Sequence, residues 1–225
     1  MEVNVTLKYR LCYEKKDSLI FISQLDLQGV FQRAFRRAKV QLEYTQGFHP
    51  HPKMTYSPPL PLYCASKEEY LDVALEGELD EKEIFEKIAG VLPRDLILRS
   101  VEAINEDTPS LPSFLVWGDY EIILKGEESL TEETAKAIEE YILNSEQILI
   151  EKKNKKKQIV TKDLRPLIES FSAKCVDGEV VINASLSLLN DTLLSPVVLT
   201  NTIKERVPHA NGLVTKSILK TGTHK

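Results

Sequence analysis

The sequence predicts an α+β protein built from two ferredoxin-like (split βαβ) domains with antiparallel sheets. Three observations predict it. Apolar residues recur at period two in some segments and at helical period in others. Over the first hundred residues these segments run strand, helix, strand, strand, helix, strand, the order of a split βαβ unit. A similar rhythm resumes after a polar, proline-bearing stretch at 105–113. The domains are therefore read as 1–104 and 114–225, with 105–113 as the linker.

The first strand is expected over 3–13, where Val3, Val5, Leu7, Tyr9 and Leu11 share one face. A polar turn, Glu14 to Ser18, follows. A helix is expected over 24–38, with Leu27, Val30, Phe31, Ala34, Phe35 and Ala38 on its apolar side. Ser23 is a good N-cap, and Asp26 three residues on completes a capping box with a short acid. Residues 44–62 hold Pro50, Pro52, Pro58, Pro59 and Pro61, so only a short strand near Lys53–Tyr56 fits there. Strands at 69–76 and 95–104 bracket an amphipathic helix at 80–91, with Ile84, Phe85, Ile88 and Ala89 inside.

The second half repeats the rhythm. A strand is expected over 114–124, a helix over 131–143 behind Thr131, and a strand over 147–151. Strands at 168–175 and 179–188 meet at Asp177-Gly178, a hairpin turn. Pro196 opens a helix to about residue 205, and the last strand spans 213–219.

Composition narrows the function classes. Hydrophobic residues make up 42% and charged residues 28%, an ordinary globular balance that excludes a disordered or fibrous chain. No stretch approaches the ~20 apolar residues of a membrane span. No basic-then-apolar leader opens the chain, since Glu2 and Lys8 interrupt it, so a cytoplasmic protein is expected. A net charge of -5 argues against bulk electrostatic capture of nucleic acid. Charge is segregated, however: residues 33–53 carry five cations against Glu43 alone, while 66–86 is acidic. Cys12, Cys64 and Cys175 form no C-x-x-C pair, which argues for free thiols and against a thiolate zinc site or iron–sulfur cluster. Isolated glycines exclude a P-loop or a dinucleotide fingerprint.

The candidate chemistry lies in residues 19–62. Arg33, Arg36 and Arg37 fall within about 100° of helix circumference, beside the apolar face. Arginine forks suit phosphate and carboxylate. The competing reading is a solvated face paired with Asp26 or with the acidic 66–86 segment. The loop Tyr44-Thr45-Gln46-Gly47-Phe48-His49-Pro50-His51-Pro52-Lys53 follows, stiffened by alternating prolines. Tyr44 and Phe48 offer stacking faces beside His49, His51 and Lys53, as a single-stranded RNA or nucleotide site requires. A rigid loop with incidental histidines and a metal or acid–base pair are the alternatives; an H-x-H pair needs a third metal ligand, and none is visible by spacing. The run Lys152, Lys153, Lys155, Lys156 and Lys157 is a second basic patch, a solvated strand end or a phosphate contact. His209 and His224 lie in tail-like surroundings and carry no signal.

Leu19-Ile20-Phe21-Ile22-Ser23-Gln24-Leu25-Asp26-Leu27, then Phe31, Arg33-Ala34 and Arg36-Arg37-Ala38, together with the 44–53 loop and Glu69-Tyr70-Leu71-Asp72-Val73, resemble the radical-SAM-linked proteins. These form a bacterial domain of unknown function, found alone or fused behind a cobalamin-binding radical SAM protein. The resemblance covers residues 5–190. It implies a radical SAM partner, but the C-x-x-x-C-x-x-C cluster motif is absent here, so no cofactor is expected on this chain alone. The chain departs from the family pattern at Gln24, where His is common, and at Gly29 and Ile20, where Arg is common. His49 stands where Asn is common and Tyr63 where Gly is common. The expected function is a cytoplasmic accessory module without catalysis of its own, which binds RNA or another anionic substrate for that partner through Arg33, Arg36, Arg37, Tyr44, Gly47, Phe48, His49, His51 and Lys53. The alternative is a metal-independent RNA-processing enzyme using His51 and His49, by fold analogy with tandem ferredoxin-like RNA-cleaving proteins.

Overall fold

A computed structural model describes residues 6–105, 107–153 and 158–225. The chain forms two compact units, residues 1–114 and 115–225. Val3 and Val5 of the expected first strand lie outside the described residues.

In the first unit, β1 (Thr6–Lys15) leads through a short 3-10 turn into α1 (Gln24–Ala38). Then come β2 (Met54–Tyr56), β3 (Cys64–Glu76), α2 (Glu81–Ala89), β4 (Leu96–Ile104) and the single turn α3 (Leu111–Phe114). β1 pairs antiparallel with β4 on one side and β3 on the other, and β2 pairs antiparallel with β3. The order β4-β1-β3-β2 is that of a split βαβ unit. Alternation along β1 buries Tyr9, Leu11 and Tyr13 on one face. Phe31 and Phe35 of α1 and Ile84 and Ile88 of α2 pack into the same core. Each such side chain contributes roughly 1.5–3 kcal/mol by leaving water. The other face of the sheet carries Lys8, Arg10 and Asp72, and it matters for the sites below.

α1 starts and stops where its sequence says it should. The Ser23 side chain accepts from the Asp26 N–H, and the Asp26 carboxylate accepts from Ser23, the reciprocal capping box. At the other end Lys39 adopts φ +56°, and its N–H returns to the carbonyls of Phe35 and Arg36.

The second unit contains β5 (Trp117–Lys125), α4 (Glu132–Asn144), β6 (Leu149–Lys153), β7 (Ile159–Asp163), β8 (Ile168–Val176), β9 (Glu179–Ser187), α5 (Pro196–Arg206) and β10 (Val214–His224). Its sheet runs β10-β5-β9-β8, again antiparallel throughout. First strand beside last and third, second beside third: the two units share one order. The expected turn at Asp177-Gly178 joins β8 to β9, with φ of +50° and +76°.

Two expectations need revision. The strand expected at 147–151 is one arm of a separate hairpin, β6–β7, inserted between α4 and β8. β7 went unread because Ile159 and Val160 are exposed, so no buried face imposes a period. Residues 105–113, read as a linker, are tied to the first unit: the Pro109 carbonyl accepts from Arg10, and Leu111 is fully buried.

A candidate anion-binding loop and its cleft

The three arginines of α1 share a stripe, yet their guanidinium groups go to different places. Arg33 folds back over Gly29, where an added Cβ would stand 3.1 Å from its Nη1. Hydrogen bonds from Ser23 hold the Asp26 carboxyl below its ordinary range, and the field of Arg33 adds to this. Arg37 donates to the carbonyl of Val91, just beyond α2, and so braces the two helices. Exposed Arg36 lines, with Lys39, Gln41 and Tyr44, a groove of about 120 Å³ at the base of the loop. A shared stripe suggests that all three arginines face the loop with their guanidinium groups together, but Arg33 and Arg37 are drawn elsewhere. A stripe fixes where side chains leave the helix, but a long flexible side chain is aimed by what lies within its reach.

The loop itself is an excursion from the edge of the sheet. Before it, Leu42 bridges to Leu75, and the Glu43 N–H donates to the Ala74 carbonyl at 2.9 Å. After it, the Ala74 N–H donates to the Lys53 carbonyl and Met54 pairs with Val73. The neck between these two points is laced shut. The Lys53 N–H donates to the Glu43 carbonyl at 2.8 Å, and the Thr45 N–H donates to the His51 carbonyl at 2.8 Å. The His51 N–H returns to Thr45 Oγ1 at 3.0 Å, Tyr44 bridges to Pro52, and Lys53 ion-pairs with Glu43. At the tip Gly47 takes φ +137°, a conformation closed to residues with a Cβ. Phe48 stands fully in solvent at 102% exposure, with His49 and His51 exposed beside it. The loop residues are thus gathered on one stiff projection, with Arg36 at its base. Among the described residues no cluster of three His, Cys, Asp or Glu side chains is placed to hold a metal ion.

Sequence reasoning missed a second feature. A cleft of about 580 Å³ opens on the face of the first sheet away from the helices. The loop neck supplies Thr45, Pro52 and Lys53; the strands supply Lys8, Thr55 and Asp72; Asn105, Thr108 and Ser110 supply the far wall. Arg10 holds this wall: Nε and Nη2 grip Asp72 at 2.7 and 2.8 Å, and Nη2 also reaches the Pro109 carbonyl at 2.8 Å. Its guanidinium lies 5.3 Å from the Phe114 ring centroid. Only strand register brings these residues together, so spacing along the chain could not have shown them.

In the second unit, His224 is no idle tail residue. Nε2 lies 2.7 Å from Glu169 of β8 and Nδ1 lies 3.2 Å from Asp119 of β5. The Glu169 hydrogen bond, with Asp119 adding its charge, raises the imidazole pKa. Ser185 donates to Asp119, and a polar hollow of about 320 Å³ adjoins them. The hydroxyl bonds to the carboxylate and not to the imidazole, so this is no nucleophile–base pair. Of the Lys152–Lys157 run, residues 154–157 and the Lys153 side chain lie outside the described residues.

A family model described as an uncharacterised protein conserved in bacteria (DUF2344) matches residues 8–196. No curated protein matches the sequence. Among solved structures, the chain is similar to one described as a Cbf5-Nop10-Gar1 complex, at TM-score 0.50 and 10% identity over 95% of this chain. A structure of the archaeal box H/ACA sRNP Nop10-Cbf5 complex matches at TM-score 0.46 and 10% identity, also over 95% of this chain. The chain spans 48% of the length of each of these proteins. At that identity the first likeness is one of fold alone, and it agrees with the mixed α+β architecture.

Proposed function

We propose that this chain, which belongs to the uncharacterised bacterial family DUF2344, is a binding module for RNA or a similar anionic ligand. One observation carries the reading: the 44–53 loop is closed at its neck and lifts an unburied aromatic, Phe48, next in sequence to exposed His49, while Arg36 lines the groove at the base of the loop. Exposing a phenyl ring fully in water contributes nothing to the fold. Stacking on a base would use it, at about 1–3 kcal/mol per base. The prolines and neck bonds order the loop before ligand arrives, which lowers the entropic cost of binding. Arg36, with Lys39 nearby, supplies the cation that a phosphate needs.

The radical SAM partner belongs to this proposal through the family resemblance alone, as does the view that the chain binds no cofactor by itself. On this reading the chain presents a substrate and the partner carries the reaction.

The test is fluorescence anisotropy with short single-stranded RNAs, run for wild type, Phe48→Ala, Arg36→Ala and Arg37→Ala. Phe48→Ala and Arg36→Ala should each weaken binding by about five-fold or more, and added salt should weaken it further. Arg37→Ala should lower the melting temperature and leave binding unchanged, since its guanidinium is engaged by Val91. RNA binding indifferent to Phe48 and Arg36 would end the proposal. Gel analysis of the same mixtures reads out cleavage, the mark of an RNA-processing enzyme.

A further inference from the structure

The cleft beside the loop has a composition of its own. We infer that it is a nucleotide-phosphate site, with Lys8 as the phosphate contact and Pro52 as the platform for the base. This deepens the RNA reading of the adjoining loop and rests on it for the choice of a nucleotide over other phosphates.

Lys8 carries the argument. It projects from the floor of the cleft, exposed, in the middle strand of β4-β1-β3. Its cross-strand neighbours are Ala74 on β3 and Ile104 on β4. Neither is a carboxylate, and no ion pair of Lys8 occurs among the described residues. The other charges lining the cleft are answered: Asp72 by both arms of Arg10, and Lys53 by Glu43. Glu102 faces Arg10, one pair further along the strand, and does not line the cleft. An exposed cation on the floor of the cleft suits an anionic ligand group.

The remaining walls fit the rest of a nucleotide. Thr55, Thr108, Ser110 and Asn105 offer hydroxyl and amide groups to a ribose, while Pro52 offers apolar surface. About 580 Å³ lies within the usual range of small-ligand sites, about 300–1,000 Å³. The far wall is set in advance by the Arg10–Pro109 bond and by buried Leu111. A nucleotide held here would be free in solution or part of the RNA that meets the loop; the phosphate-and-base chemistry is the same.

Calorimetric titration of the full chain distinguishes these sources. The probes are AMP, UMP, adenosine, inorganic phosphate and a single-stranded RNA octamer, against wild type, Lys8→Ala, Lys8→Arg and Phe48→Ala. We expect a nucleoside monophosphate to bind at least ten-fold more tightly than adenosine. Lys8→Ala should weaken it about ten-fold without lowering the melting temperature, and Lys8→Arg should restore most of the binding. If Lys8→Ala also weakens the octamer, the nucleotide is part of RNA; if the octamer is unaffected, the site takes a free nucleotide. Absence of monophosphate binding, equal binding of adenosine, or indifference to Lys8→Ala would overturn the inference. Octamer binding that is absent, or indifferent to Phe48→Ala, would count against the loop reading alone, because the monophosphate arm does not depend on Phe48.

Discussion

Removing the Arg10 guanidinium should cost far more than removing an ordinary surface charge. Arg10 is 8% exposed, and its side chain and that of Asp72 are 10% and 16% exposed. The pair is bidentate, and the Asp72 hydrogen bond raises the Arg10 pKa against the opposing effect of burial. In Arg10→Met the stem still packs, but a nearly buried carboxylate loses its partner and the Pro109 carbonyl loses its donor. Breaking a buried pair from one side costs about 3–5 kcal/mol, and we expect about 3 here. Arg10→Met/Asp72→Leu removes the stranded charge and should recover about 2 kcal/mol, leaving about 1 for the Pro109 bond. The only tryptophan, Trp117, belongs to the second unit and is the wrong probe. Cys64 is the right one: it is fully buried on β3, and burial pushes its thiol up to about 12. Thiol labelling against urea, with the modified site read by mass spectrometry, then follows the first unit. A slope of about 1–3 kcal/mol per molar urea turns 3 kcal/mol into a midpoint about 1–3 M lower. A double variant no more stable than Arg10→Met would refute the reasoning, because the loss would not then come from the isolated Asp72 charge.

Two further outcomes follow from local geometry. Ser23→Ala should destabilise α1 by about 1 kcal/mol in the same labelling assay, with Ser23→Asn close to wild type, since the capping acceptor is what matters. His224 has a folded pKa above its unfolded value, so its pairing with Glu169 and Asp119 stabilises fully below the unfolded pKa and fades as pH rises through the folded one. Wild type should therefore exceed His224→Gln in thermal melting near pH 5, and the difference should close above neutral pH; a difference that grows with pH would contradict the pairing.

Some of this was legible in the sequence because it is local. The limits of α1 follow from Ser23, Asp26 and a clean helical period, and the structure gives Gln24–Ala38. The sheet orders are legible as element rhythm, since each strand of the split βαβ core has one buried face. What escaped is what register and long side chains decide. His224 meets partners 55 and 105 residues away along the chain. Arg37 is drawn aside by a carbonyl that helical angle cannot reveal. Tyr63 adopts φ +67°. That left-handed backbone is one a residue with a Cβ rarely takes and spacing does not announce, and the side chain rests edge-on against Phe21, 5.7 Å between centroids.

The laced neck of the 44–53 loop makes the loop separable from the sheet it grows from. The strand edge arrives at Glu43, leaves at Lys53, and is already joined across that gap by a backbone hydrogen bond. Everything beyond the join hangs from the edge like a graft, so changes of length or sequence at the tip need not propagate into the ladder on either side. Insertions at such a point cost little, because loop-closure entropy grows only slowly with length. The same prolines guard the exposed border: Pro50, Pro52, Pro58 and Pro59 flank the three-residue β2 and deny a continuous row of donors to any foreign strand. A binding tip that can diversify and a sheet edge that resists aggregation thus come from one stretch of chain.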